Sequence, residues 1–215
     1  MKKRKVTIYS LWVVSLVAIL CVASCATNPV TGEQELMLLS ESGEIQLGRQ
    51  TDAQIKQTYG FYEAPALNEY IERLGQRVAS GSHRSHLAFE FKVLDSPVIN
   101  AFAVPGGYIY LTRGILAYLN NEAEVAGVIG HEIGHVAARH SAQQYTRATF
   151  AQIGLGLGTI LSEEFAALSG MAQFGVQMLF LKFSRDNERQ ADDLGVEYST
   201  KGGYDATHMA GFFET

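Results

Sequence analysis

The amino-acid sequence predicts an α+β fold, mostly helical, with a small antiparallel or mixed sheet beside one central helix. Two changes of hydrophobic period carry that prediction. Apolar residues recur at helical spacing up to Val78, alternate with period two from Phe89 to Val93, and return to helical spacing after Asn121. The chain is long enough for one sizeable core: its 215 residues are 47% hydrophobic and only 18% charged, too apolar for disorder. Acidic residues outnumber basic ones 22 to 17, so no domain-wide basic field exists and no nucleic-acid partner is expected.

The first segment reads as an export signal. Lys2, Lys3, Arg4 and Lys5 precede an almost wholly apolar run from Val6 to Val22. The run ends in Val22-Ala23-Ser24-Cys25, which resembles a bacterial lipobox; a plain transmembrane anchor would leave Cys25 without a reason. Residues 1–24 are therefore expected to be a lipoprotein signal peptide, and residues 25–39, with Asn28-Pro29 and Thr31-Gly32, a tether from lipidated Cys25. Cleavage takes four of the 17 basic residues, leaving 13 against 22 acidic ones, a formal charge of −9. Cys21 departs with the signal, so no disulfide can form. Ala26 after the cysteine, rather than aspartate, favours the periplasmic face of the outer membrane.

The elements of residues 40–215 follow in order. Glu44 to Tyr59 reads as a helix ending at Gly60, and Leu67, Tyr70, Ile71, Leu74 and Val78 mark a second, amphipathic one. Phe89, Phe91 and Val93 alternate with Glu90 and Lys92 as a half-buried strand. Ile99 to Val104 and Tyr108 to Thr112 read as two more strands around Pro105-Gly106-Gly107. Asn121 caps the next helix, with Glu124 completing a capping-box pattern. From Phe150 to Leu181 the chain is apolar and glycine-rich; it reads as buried helices, with a mobile flap as a further hypothesis. Asp186 to Thr200 is a charged helix stopping at Gly202-Gly203, and Asp205 opens another. Phe212 and Phe213, unpaired by any later segment, suggest a longer protein.

The chemistry concentrates in His131-Glu132-Ile133-Gly134-His135, of the form H-E-x-x-H. At about 100° per residue, two imidazoles four apart share a helix face and reach one tetrahedral ion, while the glutamate sits beside the water-bearing position. An H-E-x-x-H-x-x-G-x-x-H motif is excluded, because Ala138 and Ser141 stand where its glycine and third histidine would be. On a continuous helix His140 falls about 180° from His131 and points away, as a hydrogen-bonded or surface histidine. Glu188 and Asp192, four residues apart, offer a third ligand and an acceptor for the outer N–H of a ligand histidine. Any charged helix has such pairs, and a solvated face would be the default reading of Glu188 and Asp192 without His131 and His135. His83 and His86 read as solvated surface residues.

Asn100-Ala101-Phe102-Ala103, the H-E-x-x-H motif with Arg139-His140 after it, and Ser184-Arg185 ahead of Glu188 and Asp192 together resemble the HtpX and CAAX prenyl endopeptidase family of zinc metallopeptidases. The resemblance covers about residues 40 to 215, and the lipobox makes the chain similar to the family's periplasmic branch. It implies a zincin-like metallopeptidase domain holding one Zn2+, with His131, His135 and Glu188 as ligands, Glu132 as catalytic base, and Asp192 behind a ligand histidine. It also implies substrate binding along Asn100, Ala101, Phe102 and Ala103 by strand addition, although a simple hairpin with Phe102 in the core fits the same residues. Arg185, Tyr198 and His140 are all candidates to stabilise the oxyanion. The expected activity is cleavage of unfolded or misassembled envelope proteins, with outer-membrane assembly machinery as an expected partner; the alternative is a chaperone-like outer-membrane protein assembly factor with a latent peptidase.

Overall fold

The structure is a computed structural model and describes residues 25–156, 183–205 and 207. The signal segment, the run from 157 to 182 with its suggested flap, and the helix expected after Asp205 lie outside the described residues. The remainder is α+β and mostly helical. Its elements are β1 (Cys25–Thr27), β2 (Gln34–Leu36), α1 (Glu41–Tyr59), α2 (Pro65–Ala79), β3 (Glu90–Leu94), β4 (Ala101–Val104), β5 (Tyr108–Thr112), α3 (Arg113–Tyr118), α4 (Glu122–Ala137), α5 (His140–Gly156) and α6 (Arg185–Lys201).

The main sheet has the order β3-β5-β4, with β3 parallel and β4 antiparallel to β5. Central β5 is buried at all five positions, because both faces of the sheet are covered. On one face Phe91, Val93, Ile109 and Leu111 join Ile71, Leu74 and Val78 of α2 and Val125, Ile129 and Ile133 of α4 in the largest core cluster. On the other, Leu94, Val104, Tyr108 and Tyr110 meet Ile55 of α1. The turn between β4 and β5 relies on Gly106 and Gly107, both at positive φ (86° and 100°).

The cap of α4 forms as the sequence predicts, with one refinement. Asn121 Oδ1 accepts from the Glu124 amide at 3.0 Å, and the Glu124 carboxylate reaches back to the Asn120 amide at 2.8 Å, one residue beyond the cap. Helix α1 begins earlier than expected, at Glu41, capped by Ser40. Residues 25–39, expected as a tether, form a small antiparallel hairpin laid against the domain. Asn28 is buried and donates to the Ala138 carbonyl, and Met37 and Leu39 pack with Leu47 and Ala142. Beyond the hairpin, buried Met37 and Leu39 alternate with exposed Leu36 and Leu38 and fasten the segment to the domain.

Candidate metal centre

Helix α4 carries His131 and His135, and α6 delivers Glu188 and Asp192. The two helices cross at glycines. A Cβ on Gly130 would lie 2.7 Å from the Gly195 carbonyl oxygen, and one on Gly195 would lie 2.9 Å from the His131 amide nitrogen. Backbone therefore touches backbone at the crossing, and the first turn of α6 reaches the imidazoles of α4. Three donor atoms converge: His131 Nε2 lies 3.0 Å from His135 Nε2, and Glu188 Oε2 lies 3.4 Å and 3.8 Å from these two nitrogens. Bonds of about 2.0–2.1 Å to a tetrahedral ion require ligand atoms about 3.3–3.4 Å apart. The observed spacings bracket that value.

Tautomers reinforce the fit. His131 Nδ1 donates to Asp192 Oδ1 at 2.8 Å, which leaves its Nε2 an unprotonated lone pair. His140 Nε2 donates to Gln190 Oε1 at 2.9 Å, so its Nδ1 accepts, and the donor facing it at 3.0 Å is His135 Nδ1. His135 Nε2 is thereby bare as well. Two lone pairs facing each other at 3.0 Å, with a carboxylate beside them, repel unless a cation sits among them. The residues present thus fit a metal ion. Burial, then the neighbouring His131 and His140, pushes the His135 pKa far below the ordinary imidazole value, favouring the neutral form a ligand needs.

The position of His140 corrects the sequence reading. Helix α4 ends at Ala137, Arg139 takes a left-handed φ of 58°, and α5 starts anew at His140. The continuous-helix arithmetic fails at that kink, and the His140 ring turns in behind His135 instead of away. Arg139 is held in this conformation by Glu44 Oε1 at 2.6 Å and the Leu39 carbonyl at 2.7 Å. Glu44 also accepts from buried Arg84 at 2.8 Å, and Arg84 donates to the Val136 carbonyl at the end of α4. This buried Arg-Glu-Arg cluster was not foreseen from sequence, since its members lie 40 and 95 residues apart. Phe183, just before α6, stacks on His135 with ring centroids 4.2 Å apart; no sequence pattern singled it out.

Glu132 faces the sheet. Burial raises its pKa to about 7 against the opposing pull of His131, and a backbone hydrogen bond from Ala103 ties the carboxylate to β4. Strand β4 is an edge of the sheet. The Thr112 amide donates to the Asn100 carbonyl, so Phe102 and Val104 also sit in hydrogen-bonded pairs with β5, and the N–H and C=O groups of Ala101 and Ala103 point to the open edge. Asn100 and Ala101 line a cleft with His131 and Glu132. Phe102 instead packs on the opposite side, stacked on Tyr110 with centroids 5.1 Å apart.

Among the three oxyanion candidates, two are otherwise engaged. The Tyr198 hydroxyl lies 2.7 Å from His83 Nδ1, and His140 stands behind His135. His83 and His86 are exposed as expected, yet both are bonded, His86 to Glu41. Arg185 remains exposed on the first turn of α6, three residues before Glu188.

A family model described as Peptidase family M48 matches residues 65–214. The chain belongs to peptidase family M48. It is 32% identical over 200 residues to the beta-barrel assembly-enhancing protease of Escherichia coli K12, covering 89% of this chain and 41% of that protein. It is also similar to the mitochondrial metalloendopeptidase OMA1 of Schizosaccharomyces pombe, at 29% identity over 82% of this chain and 53% of the relative. The metalloprotease YcaL of Escherichia coli K12 is 29% identical over 69% of this chain and 59% of its own length. The chain spans about two fifths of the beta-barrel assembly-enhancing proteases it matches. Among the described residues, no helix of this M48 chain is long and apolar enough to cross a membrane.

Proposed function

We propose that this M48 chain is a zinc-dependent endopeptidase acting on unfolded or misassembled cell-envelope proteins. The observation that carries the reading is the convergence of His131 Nε2, His135 Nε2 and the Glu188 carboxylate beside Glu132. His131, His135 and Glu188 would hold the ion, and Asp192 would fix His131. Zinc so bound supplies Lewis acidity and a water of lowered pKa. Glu132 takes a proton from the attacking water and passes it to the departing amine; a pKa raised towards neutrality suits both transfers. The open edge of β4 pairs with an extended substrate chain through Ala101 and the Ala103 carbonyl, next to the Ala103 amide that holds Glu132, which brings a substrate carbonyl past Glu132. Only an unfolded segment can add as a strand in this way. Arg185 is the candidate for stabilising the oxyanion.

The lipobox before Cys25 supports anchoring at the periplasmic face of the outer membrane, and the resemblance to beta-barrel assembly-enhancing proteases supports a role near outer-membrane assembly machinery. That same resemblance favours a second reading, an assembly factor whose peptidase is latent. Metal analysis of the purified protein, paired with cleavage of casein before and after chelation, tests the enzyme. One zinc per chain and chelator-sensitive cleavage are expected; a metal-free active protein would overturn the proposal. Rescue of envelope assembly by a cleavage-dead variant as effectively as by wild type would favour the second reading.

A further inference from the structure

The N-terminal hairpin closes on the break between α4 and α5. The Ala138 carbonyl lies at that break, and two side-chain amides donate to it: Asn28 Nδ2 at 3.3 Å and Gln143 Nε2 at 3.1 Å. The Glu35 carboxylate joins the same two amides from the other side, with Oε1 2.8 Å from Asn28 Nδ2 and Oε2 2.8 Å from Gln143 Nε2. Each NH2 group thus uses both of its protons in one closed ring of hydrogen bonds. Asn28 Oδ1 accepts from the Val30 and Thr31 amides, which turns the hairpin, and the residue is only 1% exposed. A buried amide with every donor and acceptor matched fixes the backbone it touches.

That backbone leads directly to the metal ligands. Ala138 is followed by Arg139, whose positive φ a non-glycine residue adopts only under constraint, and then by His140, which lies against His135. In the other direction Gln143 Oε1 meets Asn187 Nδ2 at 3.5 Å, and Asn187 immediately precedes Glu188. Farther along the N-terminal segment, the Leu38 amide donates to Thr146 Oγ1 at 3.0 Å and the Leu39 carbonyl accepts from Arg139 at 2.7 Å. Asn28, Glu35, Leu38 and Leu39 all precede residue 65, where the match to the M48 model begins.

From this arrangement we infer that Asn28, Glu35 and Gln143 are positioning residues of the metal centre: their hydrogen-bonded ring holds the break between α4 and α5, and through it the orientation of His140 behind His135 and of Glu188 on α6. The inference rests on the metal-centre reading and adds to it a support built from the N-terminal hairpin. The segment after Cys25 is then part of the site rather than a tether. Without the ring, Arg139 relaxes towards the right-handed region that non-glycine residues prefer, and His140 turns with it. His135 then loses the acceptor that keeps its Nε2 bare for the ion.

Zinc affinity, measured by competition with a chromophoric chelator, tests the role in the whole chain. Gln143→Leu removes one amide from a half-buried helix position. Asn28→Asp keeps the acceptor for the Val30 and Thr31 amides and has nothing to donate to Ala138. Each variant is expected to bind zinc about 10-fold more weakly than wild type, the lower end of the range for outer partners of a ligand histidine. With cobalt in place of zinc, both should show shifted visible bands, because the ligands are reoriented. Two controls separate positioning from stability. Gln34→Ala breaks an exposed hydrogen bond to Thr27 within the same hairpin, and Val78→Ala opens a cavity in the core under α2 and destabilises the fold without touching the break. Both should keep wild-type zinc affinity. Affinity within about twofold of wild type in either ring variant, an unshifted cobalt spectrum, or an equal fall in the controls would overturn the inference. Those outcomes, with zinc bound one per chain by wild type, leave the peptidase reading standing; a wild type that binds no zinc sinks both.

Discussion

The Nδ1 atom of His140 lies 3.0 Å from the Nδ1 atom of His135. With Gln190 accepting the single N–H of His140 at Nε2, the contact fixes which nitrogen of His135 is bare, and it exists because Arg139 breaks the helix between them. His140→Leu and Gln190→Ala should therefore weaken zinc binding without unfolding the protein. Loss of an outer hydrogen-bond partner of a ligand histidine costs about 10- to 100-fold in affinity. Competition with a chromophoric chelator measures it. Asp192→Ala, which frees His131 in the same way, should fall in that range, and an unchanged affinity in all three would remove these roles.

The glycine crossing of α4 and α6 makes a second prediction. Gly195→Ala forces a methyl against the His131 backbone, and backbone cannot rotate away as a side chain can. A cost of about 1–3 kcal/mol in urea denaturation is expected. Zinc affinity should fall too, because Glu188 rides on the displaced helix. Ala at exposed Val196, one residue on, serves as the control.

Much of this site was legible in the sequence, and the rest was hidden for identifiable reasons. His131, Glu132 and His135 share a face by helical period alone, and Glu188 with Asp192 by the same rule on another helix. Bringing the two helices together depends on Gly130 and Gly195, which carry no periodic signal. His140 was misplaced because one non-glycine residue at positive φ defeats any helical-wheel argument. The same limitation hid Glu44, which looks like an ordinary helix-surface glutamate until two distant arginines close on it. The strands and their turn were readable from alternation and Gly106-Gly107, whereas the parallel pairing of β3 with β5 is a tertiary choice.

Glu44 itself gives the stability prediction. Its carboxylate lies between buried Arg84 and Arg139, and Glu44→Gln leaves Arg139 without its counter-charge and Arg84 with only the half-exposed Glu41. Breaking a buried ion pair by removing one partner costs about 3–5 kcal/mol. Urea unfolding of metal-free protein should show that loss, and a change under about 1 kcal/mol would mean the cluster is not structural.

Alkaline stability follows from Asp52. Fully buried Tyr110 donates to Asp52 Oδ1 at 2.7 Å, and burial followed by that carboxylate raises the phenol pKa far above 10. Burial alone would lower the Lys92 pKa, but the hydrogen bonds it donates to Asp52 and Glu90 outweigh that and raise it above its ordinary value. Both groups keep their protons in the fold at pH values where the unfolded chain releases them. The folded state then binds more protons than the unfolded one, so stability is full below about pH 10 and falls as pH rises beyond it. Urea midpoints at pH 8 and pH 11 should differ accordingly, and Tyr110→Phe should lessen the difference. An equal fall in that variant would exclude Tyr110 as a source.

The central claim is that Glu132 is the base beside a zinc ion held by His131, His135 and Glu188. Glu132→Gln preserves the shape of the side chain and removes its ability to take a proton. The most direct measurement is casein cleavage by wild-type and Glu132→Gln proteins carrying equal zinc. A loss of at least about 100-fold with zinc fully retained is predicted; near-normal cleavage by the zinc-loaded variant would contradict it.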